Sequence, residues 1–249
     1  LKGIGGACFY GSGLSGAVTI PASVDIVKNT DVNKNAEDGY GKSSNIFAKT
    51  SITSLTIQGT PESIGNAFAK NCTQLAAVTL PSSVKTIGKE AFYKTGLTQC
   101  PNLENVTEIG SSAFSGITSF TNDIVIGEGT KVGKQAFANS KTTGKLILKA
   151  SELGESCFSG FSAGATGELS LDMAEIPDGF YTQQDSRHEN NGSSTFDPFE
   201  LKVGVKSVGS SAFNANCLTG TLTLPESLEK IGGSAFRRNN FTGDLVIPE

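Results

Sequence analysis

Few side chains in this sequence are suited to catalysis or to metal binding. His188 is the single histidine, which excludes a multi-histidine metal site and leaves one candidate general base. It lies among Ser, Asn and Gly residues that give its imidazole ring no fixed partner. We therefore interpret His188 as an exposed loop residue, and we predict a chain without catalytic residues.

Two stretches resemble loops that bind calcium or phosphate. The segment 31–42 begins like a calcium loop, but Ala36 stands where that loop needs Gly, and a lysine replaces the bidentate Glu at its end. The stretch 127–134 resembles a phosphate loop, yet Glu128 occupies its first Gly position and Gln135 replaces its Ser or Thr. We interpret the first as a solvated loop and the second as part of the repeat described below, because Val132-Gly133 belongs to the repeated motif. We expect neither a metal nor a cofactor.

Three carboxylates precede short apolar segments, and acids on adjacent turns of a β-solenoid can form a polysaccharide-cleaving site. They are Asp123, Glu168 and Asp244. Their turns are not adjacent, and Lys145 lies between the first two, so we interpret them as solvated surface charges. Polysaccharide cleavage stays the enzymatic alternative to a chain that only binds.

One motif, Ile-Gly-x-x-Ala-Phe, repeats along the chain and determines the predicted architecture. Its aromatic position falls at residues 9, 47, 68, 92, 114, 137, 158, 181, 213 and 236. The steps are 21 to 24 residues, except for two longer ones. Such a regular period indicates stacked repeats rather than a globular arrangement of unlike elements.

An alternating apolar-polar-apolar triplet precedes the motif and predicts one short strand per turn. The triplets are 18–20, 55–57, 78–80, 124–126, 146–148, 169–171, 222–224 and 245–247. Several are followed by Pro, which ends a strand where its missing N–H does least harm.

A unit of about 23 residues cannot bury its own apolar side, so neighbouring units must stack around one core. We predict an α/β repeat solenoid of about ten turns, with a parallel sheet on one face and short helical or 3₁₀ turns opposite. The motif Gly is expected at a sharp bend that needs backbone freedom. One buried column is predicted for Phe68, Phe92, Phe114, Phe137, Phe158, Phe213 and Phe236.

The five cysteines invite a disulfide interpretation, but their repeat positions argue against it. Cys8 and Cys157 occupy the Ala position, while Cys72 and Cys217 each lie four residues after a motif Phe. Either pair is six turns apart, and ~29 Å of stacked strands is too far for a disulfide. We predict that all five, including Cys100, are buried free thiols that fill small apolar gaps.

The string Leu-Pro-Glu-Ser-Leu-Glu-Lys-Ile-Gly-Gly-Ser-Ala-Phe at 224–236 resembles the BspA-like leucine-rich repeat family of bacterial surface proteins. The resemblance covers nearly the whole chain, although Ile-Gly-x-x-Ala-Phe replaces the Asn or Cys ladder of common leucine-rich repeats. It implies a right-handed leucine-rich-repeat-like superhelix. It also implies a secreted or surface-anchored protein, with adhesion or host-protein binding as the usual role.

We predict one solenoid domain over 1–249, with polar loop insertions at 28–45 and 182–197. Residues 1–4 match 228–231 in phase and no polar cap shields either end, so we expect a segment of a longer protein.

A net charge of −4 supplies no cationic field for nucleic acid. No apolar run approaches the ~20 residues of a transmembrane helix, and we expect a monomer.

The middle residue of each triplet should point outward and form a row along the sheet. In chain order these residues are Thr19, Thr56, Thr79, Val125, Ile147, Ser170, Thr223 and Val246, with Glu200 or Lys202 in the irregular turn. Val125 and Ile147 in adjacent turns form the kind of apolar patch that marks contact sites. The residues predicted to contact a protein or glycan ligand are Val125, Ile147, Thr79, Ser170 and Thr223. A passive spacer is the other non-enzymatic alternative.

Overall fold

The computed structural model describes residues 1–26, 45–164, 168–169, 173–183 and 199–248. They form a parallel-strand β-solenoid of about seven turns. The predicted number of ten turns is too high, because the regular ladder of turns begins only at Ser63 and ends at Ile231. The insertions predicted at 28–45 and 182–197 lie almost entirely outside the described residues.

The secondary structure of the described residues consists of short strands alone. They are β1 (Ser15–Ile20), β2 (Ser51–Ile57), β3 (Ser63–Ile64), β4 (Ala77–Thr79), β5 (Thr86–Ile87), β6 (Glu108–Ile109), β7 (Ile124–Ile126), β8 (Lys131–Val132), β9 (Lys141–Thr142), β10 (Leu146–Leu148), β11 (Glu152–Leu153), β12 (Ser162–Ala163), β13 (Glu168–Leu169), β14 (Glu175–Ile176), β15 (Ser207–Val208), β16 (Thr219–Gly220), β17 (Lys230–Ile231) and β18 (Asn240–Phe241).

Three kinds of parallel sheet follow the repeat, and the smallest kind pairs β9 with β12 and β16 with β18. The predicted triplets form two sheets, in the strand orders β1-β2-β4 and β13-β10-β7. Two-residue strands that end on the motif Ile, Val or Leu form two others, β11-β8-β6-β5-β3 and β14-β15-β17. These were not predicted, because two residues show no period. The triplets 222–224 and 245–247 form no strand, so the sheet is less continuous than the alternation indicates.

The predicted helical face is wrong, because the backbone donors of the motif alternate between two directions. Phe92 N–H donates to the Ala113 carbonyl of the next turn at 2.8 Å, whereas Ala91 N–H donates to Gly88 three residues back at 3.2 Å. Glu90 between them has a φ of 55°, in the left-handed region. A helix would need every N–H within its own segment. The motif therefore forms a series of tight turns that bond to one another.

The motif Gly allows two turns to approach closely, which differs from the predicted role at a bend. A Cβ on Gly110 would lie 2.6 Å from the backbone N of Lys89 and 2.7 Å from the carbonyl carbon of Gly88. The positive φ falls two residues later instead, at Ser112, with 55°. Gly is required here because any side chain would push the neighbouring backbone away.

Pro177 replaces the motif Gly in one turn and interrupts the ladder there. In the turn before, Gly154 N–H donates to the Val132 carbonyl at 2.6 Å. Proline has no N–H, and its ring occupies the space that only Gly leaves free. Consequently β11 and β14 belong to different sheets, and a groove of about 660 Å³ is lined there by Glu152 and Glu175.

The predicted aromatic column is confirmed through the middle of the solenoid. Phe92, Phe114, Phe137 and Phe158 stack in sequence with ring centroids 5.4, 5.1 and 5.1 Å apart, and all four are fully buried. Each ring covers the face of the next, so the core is continuous from turn to turn. Phe236, in the last described turn, is only partly buried.

One turn reverses the order of its two inward residues. Phe47 N–H donates to the Phe68 carbonyl at 2.8 Å, just as Phe92 N–H donates to that of Ala113. Phe68 therefore takes the Ala position and Ala69 the Phe position, because this copy of the motif, residues 64–69, has Phe and Ala in exchanged order. Phe68 is fully buried but meets Phe47 edge-on, at 74°, so its predicted place in the column is wrong.

Because Phe68 does not occupy the Phe position, Cys72 also lies outside the position predicted for it. Its thiol donates to the Phe47 carbonyl at 2.9 Å and lies 3.5 Å from the hydroxyl of Thr50. Cys72 thus occupies a position three residues after the Phe position, whereas Cys217 lies four residues after Phe213. The two cysteines do not share a column. Predicted burial is correct for four cysteines, but Cys8 is exposed.

We expect a thiol reagent such as DTNB to modify Cys8 rapidly at pH 8 and the other four thiols slowly. Burial raises the pKa of Cys72, Cys100 and Cys157 above its ordinary value, and the thiolate is the form that reacts. Titration should find one fast thiol in the folded chain, and the Cys8→Ser variant should lose it. After denaturation without reductant, all five thiols should react with DTNB. A smaller number of reactive thiols would reveal a disulfide, which we predict to be absent.

Candidate ligand-binding faces

Val125 and Ile147 lie side by side in the sheet formed by β7, β10 and β13. They are direct partners in the parallel register, and both are half-buried, whereas Leu146 and Leu148 on either side of Ile147 are fully buried. The alternation predicted from these triplets is therefore confirmed. A strand spacing of ~4.8 Å places the two outward side chains next to each other.

On the third strand the register differs from the predicted one. Ile147 pairs with Glu168, and Leu148 pairs with Leu169, so the neighbour of Ile147 is Glu168 rather than Ser170. The sequence Glu-Leu-Ser-Leu alternates throughout, and both registers satisfy a period of two. Ser170 itself lies outside the described residues.

The other predicted contact residues lie apart from this pair. Thr79 is exposed and pairs with Thr56, which pairs with Thr19, in the separate sheet of β1, β2 and β4. Thr223 is exposed but lies in no strand. The structure thus brings together Val125 and Ile147, but it does not bring Thr79 or Thr223 to them.

The candidate carboxylates do not converge on a catalytic arrangement in the described part of the chain. Asp123 is exposed, and its carboxylate accepts the backbone N–H of Lys145 in the next turn at 2.8 Å. Asp244 is exposed near the other end of the solenoid. Within the described ranges, no group of three or more His, Cys, Asp or Glu side chains could hold a metal ion. His188 and the calcium-like segment 31–42 lie outside those ranges.

The phosphate-loop-like stretch 127–134 is a turn that leads into β8. Thr130 is buried, and its hydroxyl donates to the Val106 carbonyl of the preceding turn at 2.9 Å. Gly129 has a φ of 76°, and Gly133 packs against the backbone of Ser111. The interpretation of this stretch as part of the repeat is confirmed.

A cluster that sequence reasoning missed lies on the turns after the motif Phe. We define the Tyr–Lys face as Tyr10, Lys49, Lys70, Tyr93 and Lys94. Lys49 Nζ lies 5.3 Å from the centre of the Tyr10 ring, while Lys70 and Lys94 lie 5.5 and 5.2 Å from that of Tyr93. These distances are typical of cation–π contacts. The signal in the sequence was the run of Tyr and Lys in the first two positions after the inward aromatic.

A pocket of about 340 Å³ opens beside the Tyr–Lys face, and Tyr10, Lys49 and Lys70 line it together with Asn45 and Asn71. Its lining combines an aromatic ring, two ammonium groups and two side-chain amides. This volume lies within the range of small-ligand sites. The pocket is therefore a second candidate binding face, separate from the sheet that carries Val125 and Ile147.

Among solved structures, the chain is similar to a leucine rich cell surface protein from Faecalibacterium prausnitzii, with 19% identity and a TM-score of 0.44 over 80% of this chain and 65% of that one. It is also similar to a leucine-rich repeat protein from Eubacterium ventriosum, with 19% identity and a TM-score of 0.48 over 75% and 51%. The chain thus spans less than two thirds of the length of either protein. No curated protein matches it.

Within the described ranges, no helix has the length and apolar character to cross a membrane.

The family model described as the BspA type leucine rich repeat region matches in 6 copies, over residues 43–165 and 167–249. These residues include every turn from the one that carries Phe47 onward. The chain belongs to the family of BspA-type leucine-rich repeat proteins.

Proposed function

We propose that this chain is a non-enzymatic scaffold that binds a protein through the strand face around Val125 and Ile147. Its family supports the scaffold role, because BspA-type repeats are in general non-enzymatic scaffolds typical of bacterial surface proteins. We place the chain outside the cell or at its surface, as one monomeric solenoid domain over 1–249. The insertion at 182–197 is proposed to assist binding.

The observation that carries the proposal is the in-register pair of half-exposed apolar side chains, Val125 and Ile147. The repeat does not require apolar residues here, because Thr56 and Thr79 pair in the same way in the sheet of the earlier turns. The fold itself leaves these two apolar side chains half-exposed to water. A partner that covers them removes this apolar surface from water, which favours binding. A protein surface offers the apolar area that such a pair can contact.

The test begins with a binding screen of the chain against a panel of purified matrix proteins, with serum albumin as the negative. The variant Val125→Lys with Ile147→Lys should weaken binding to any protein found by tenfold or more, because two desolvated ammonium groups would lie in the contact. Folding should survive, since a half-buried Lys can extend its ammonium group to water. Circular dichroism checks the fold, and surface plasmon resonance measures the affinity.

A matched control adds the same charge elsewhere. Thr19→Lys with Thr56→Lys places two lysines in register in the sheet of β1, β2 and β4, and it should leave the affinity within about twofold. Binding that survives the first variant but is abolished by deletion of 182–197 would assign recognition to the insertion. A chain that binds no protein in the panel contradicts the scaffold role and favours a passive spacer.

A further inference from the structure

The side chains of the Tyr–Lys face are not required by the repeat. The two positions after the inward aromatic hold Tyr93 and Lys94 in one turn, but Ser115 and Gly116 in the next. The two turns after that hold Ala138, Asn139, Ser159 and Gly160 there, and the last described turn holds Arg237 and Arg238. The backbone bonds are the same in all but the last of these turns. Packing alone therefore does not explain a run of lysines and tyrosines in the earlier turns.

Two of the lysines occupy backbone positions that favour glycine. Lys49 has a φ of 59° and Lys94 a φ of 51°, in the left-handed region, and the equivalent residues Gly116 and Gly160 have φ of 75° and 67°. A side chain is disfavoured in this conformation, whereas Gly adopts it freely. Asn71, Asn139, Ala215 and Arg238 have the same conformation at equivalent positions. The repeat therefore tolerates a side chain there, and replacing Lys49 or Lys94 with Gly should not strain the turn.

The neighbouring groups hold the three ammonium groups in place before any ligand arrives. The Tyr10 ring lies beneath Lys49, and the Tyr93 ring contacts both Lys70 and Lys94. Lys70 also pairs with Glu90 at 2.8 Å. Restricting a charged side chain in this way lowers the entropy lost on binding. The face carries more positive than negative charge, although the whole chain has a net charge of −4.

We propose that the Tyr–Lys face binds an acidic saccharide, a chain of sugars that carry carboxylate or sulfate groups. Lys49 and Lys94 bind the anionic groups, while the Tyr10 phenol and the amides of Asn45 and Asn71 bind sugar hydroxyls within the pocket. These groups both donate and accept hydrogen bonds, as hydroxyls require. Nucleic acid fits less well, because sites for single strands use aromatic faces on which bases stack, and the rings of Tyr10 and Tyr93 already contact lysines. This site is independent of the protein contact proposed above.

The test uses heparin and polygalacturonate as sulfated and carboxylated probes, and neutral dextran as the negative. We expect the chain to bind at least one acidic probe, with an affinity that falls as NaCl is added. In the double variant Lys49→Gly with Lys94→Gly, the Kd should rise by tenfold or more. Because Gly suits the left-handed positions, the thermal midpoint of this variant should be no lower than that of the original chain, so lost binding cannot result from unfolding.

A matched control removes a lysine from another face. Lys145 is exposed beside β10, and the Lys145→Gln variant should bind the probes as the original chain does. Equal weakening by Lys145→Gln would overturn the proposal, because it would indicate attraction by overall charge. It would also be overturned if the double variant bound unchanged, if neither acidic probe bound, or if polyuridylate bound as tightly as the sugars.

Discussion

Replacing Phe114 with Ala is expected to lower the free energy of unfolding by about 3 to 5 kcal/mol. The ring is fully buried and stacked between Phe92 and Phe137, with centroids 5.4 and 5.1 Å away. Its removal leaves a cavity in the middle of the column, and the turns cannot collapse to fill it. Their spacing is set by backbone bonds, such as that from Phe114 N–H to the Ala136 carbonyl at 2.8 Å.

Urea unfolding followed by circular dichroism measures this loss, since the chain has no Trp to serve as a fluorescent probe. Phe236→Ala is the matched control. It deletes the same ring from the last described turn, where Phe236 is partly exposed and stacks on Phe213 at 5.6 Å, so its effect should be clearly smaller. A loss below about 1 kcal/mol for Phe114→Ala, the range of surface substitutions, would contradict a continuous core column.

The second large effect is expected for Gly110→Ala, which should destabilise the fold by about 3 kcal/mol although it adds one methyl group. The new Cβ would lie 2.6 Å from the backbone N of Lys89 and 3.0 Å from the carbonyl oxygen of Ile87. Backbone atoms cannot rotate away as a side chain can. Relief requires the two turns to separate, which weakens the bond from Gly110 N–H to Ile87, now 2.7 Å long.

Gly233→Ala provides the control in the last described turn. No atom lies within 4 Å of a Cβ at Gly233, so this variant should be neutral or slightly stabilising, because Ala restricts the unfolded chain. Both variants are compared by their urea midpoints. Equal midpoints would show that close contact between turns is not the reason for the motif Gly, and the bend predicted from the sequence would then be the better explanation.

The sequence predicted the repeat, the inward aromatics and the parallel strands because each depends on a residue pattern within one turn. Phe92, Phe114, Phe137 and Phe158 recur at a nearly constant step, and a constant step requires stacked units. The helical face was predicted wrongly because a residue pattern describes only what lies within one turn. Periodicity within a turn gives no information about which N–H groups bond to the next turn, and at Phe92 that bond excludes a helix.

Small changes in one turn have consequences that appear only when turns are stacked. The exchange of Phe and Ala at positions 68 and 69 places Phe68 outside the column of stacked rings, and Cys72 lies outside the column predicted for it. Pro177 is one substitution in the sequence, but in the fold it removes a donor and opens the groove beside Glu152 and Glu175. Each effect arises because the neighbouring turn lies too close to accommodate the change.

For the two candidate faces, too, the sequence predicts some features and the stacking of turns decides others. The sequence by itself determined that Val125 and Ile147 are outward residues of adjacent turns, and the family to which the chain belongs. Only the tertiary structure decided that Glu168 is the neighbour of Ile147 and that Tyr10 and Tyr93 lie against lysines. The physical reason is that contacts between turns depend on register, and register is set by hydrogen bonds between backbones rather than by the repeat period.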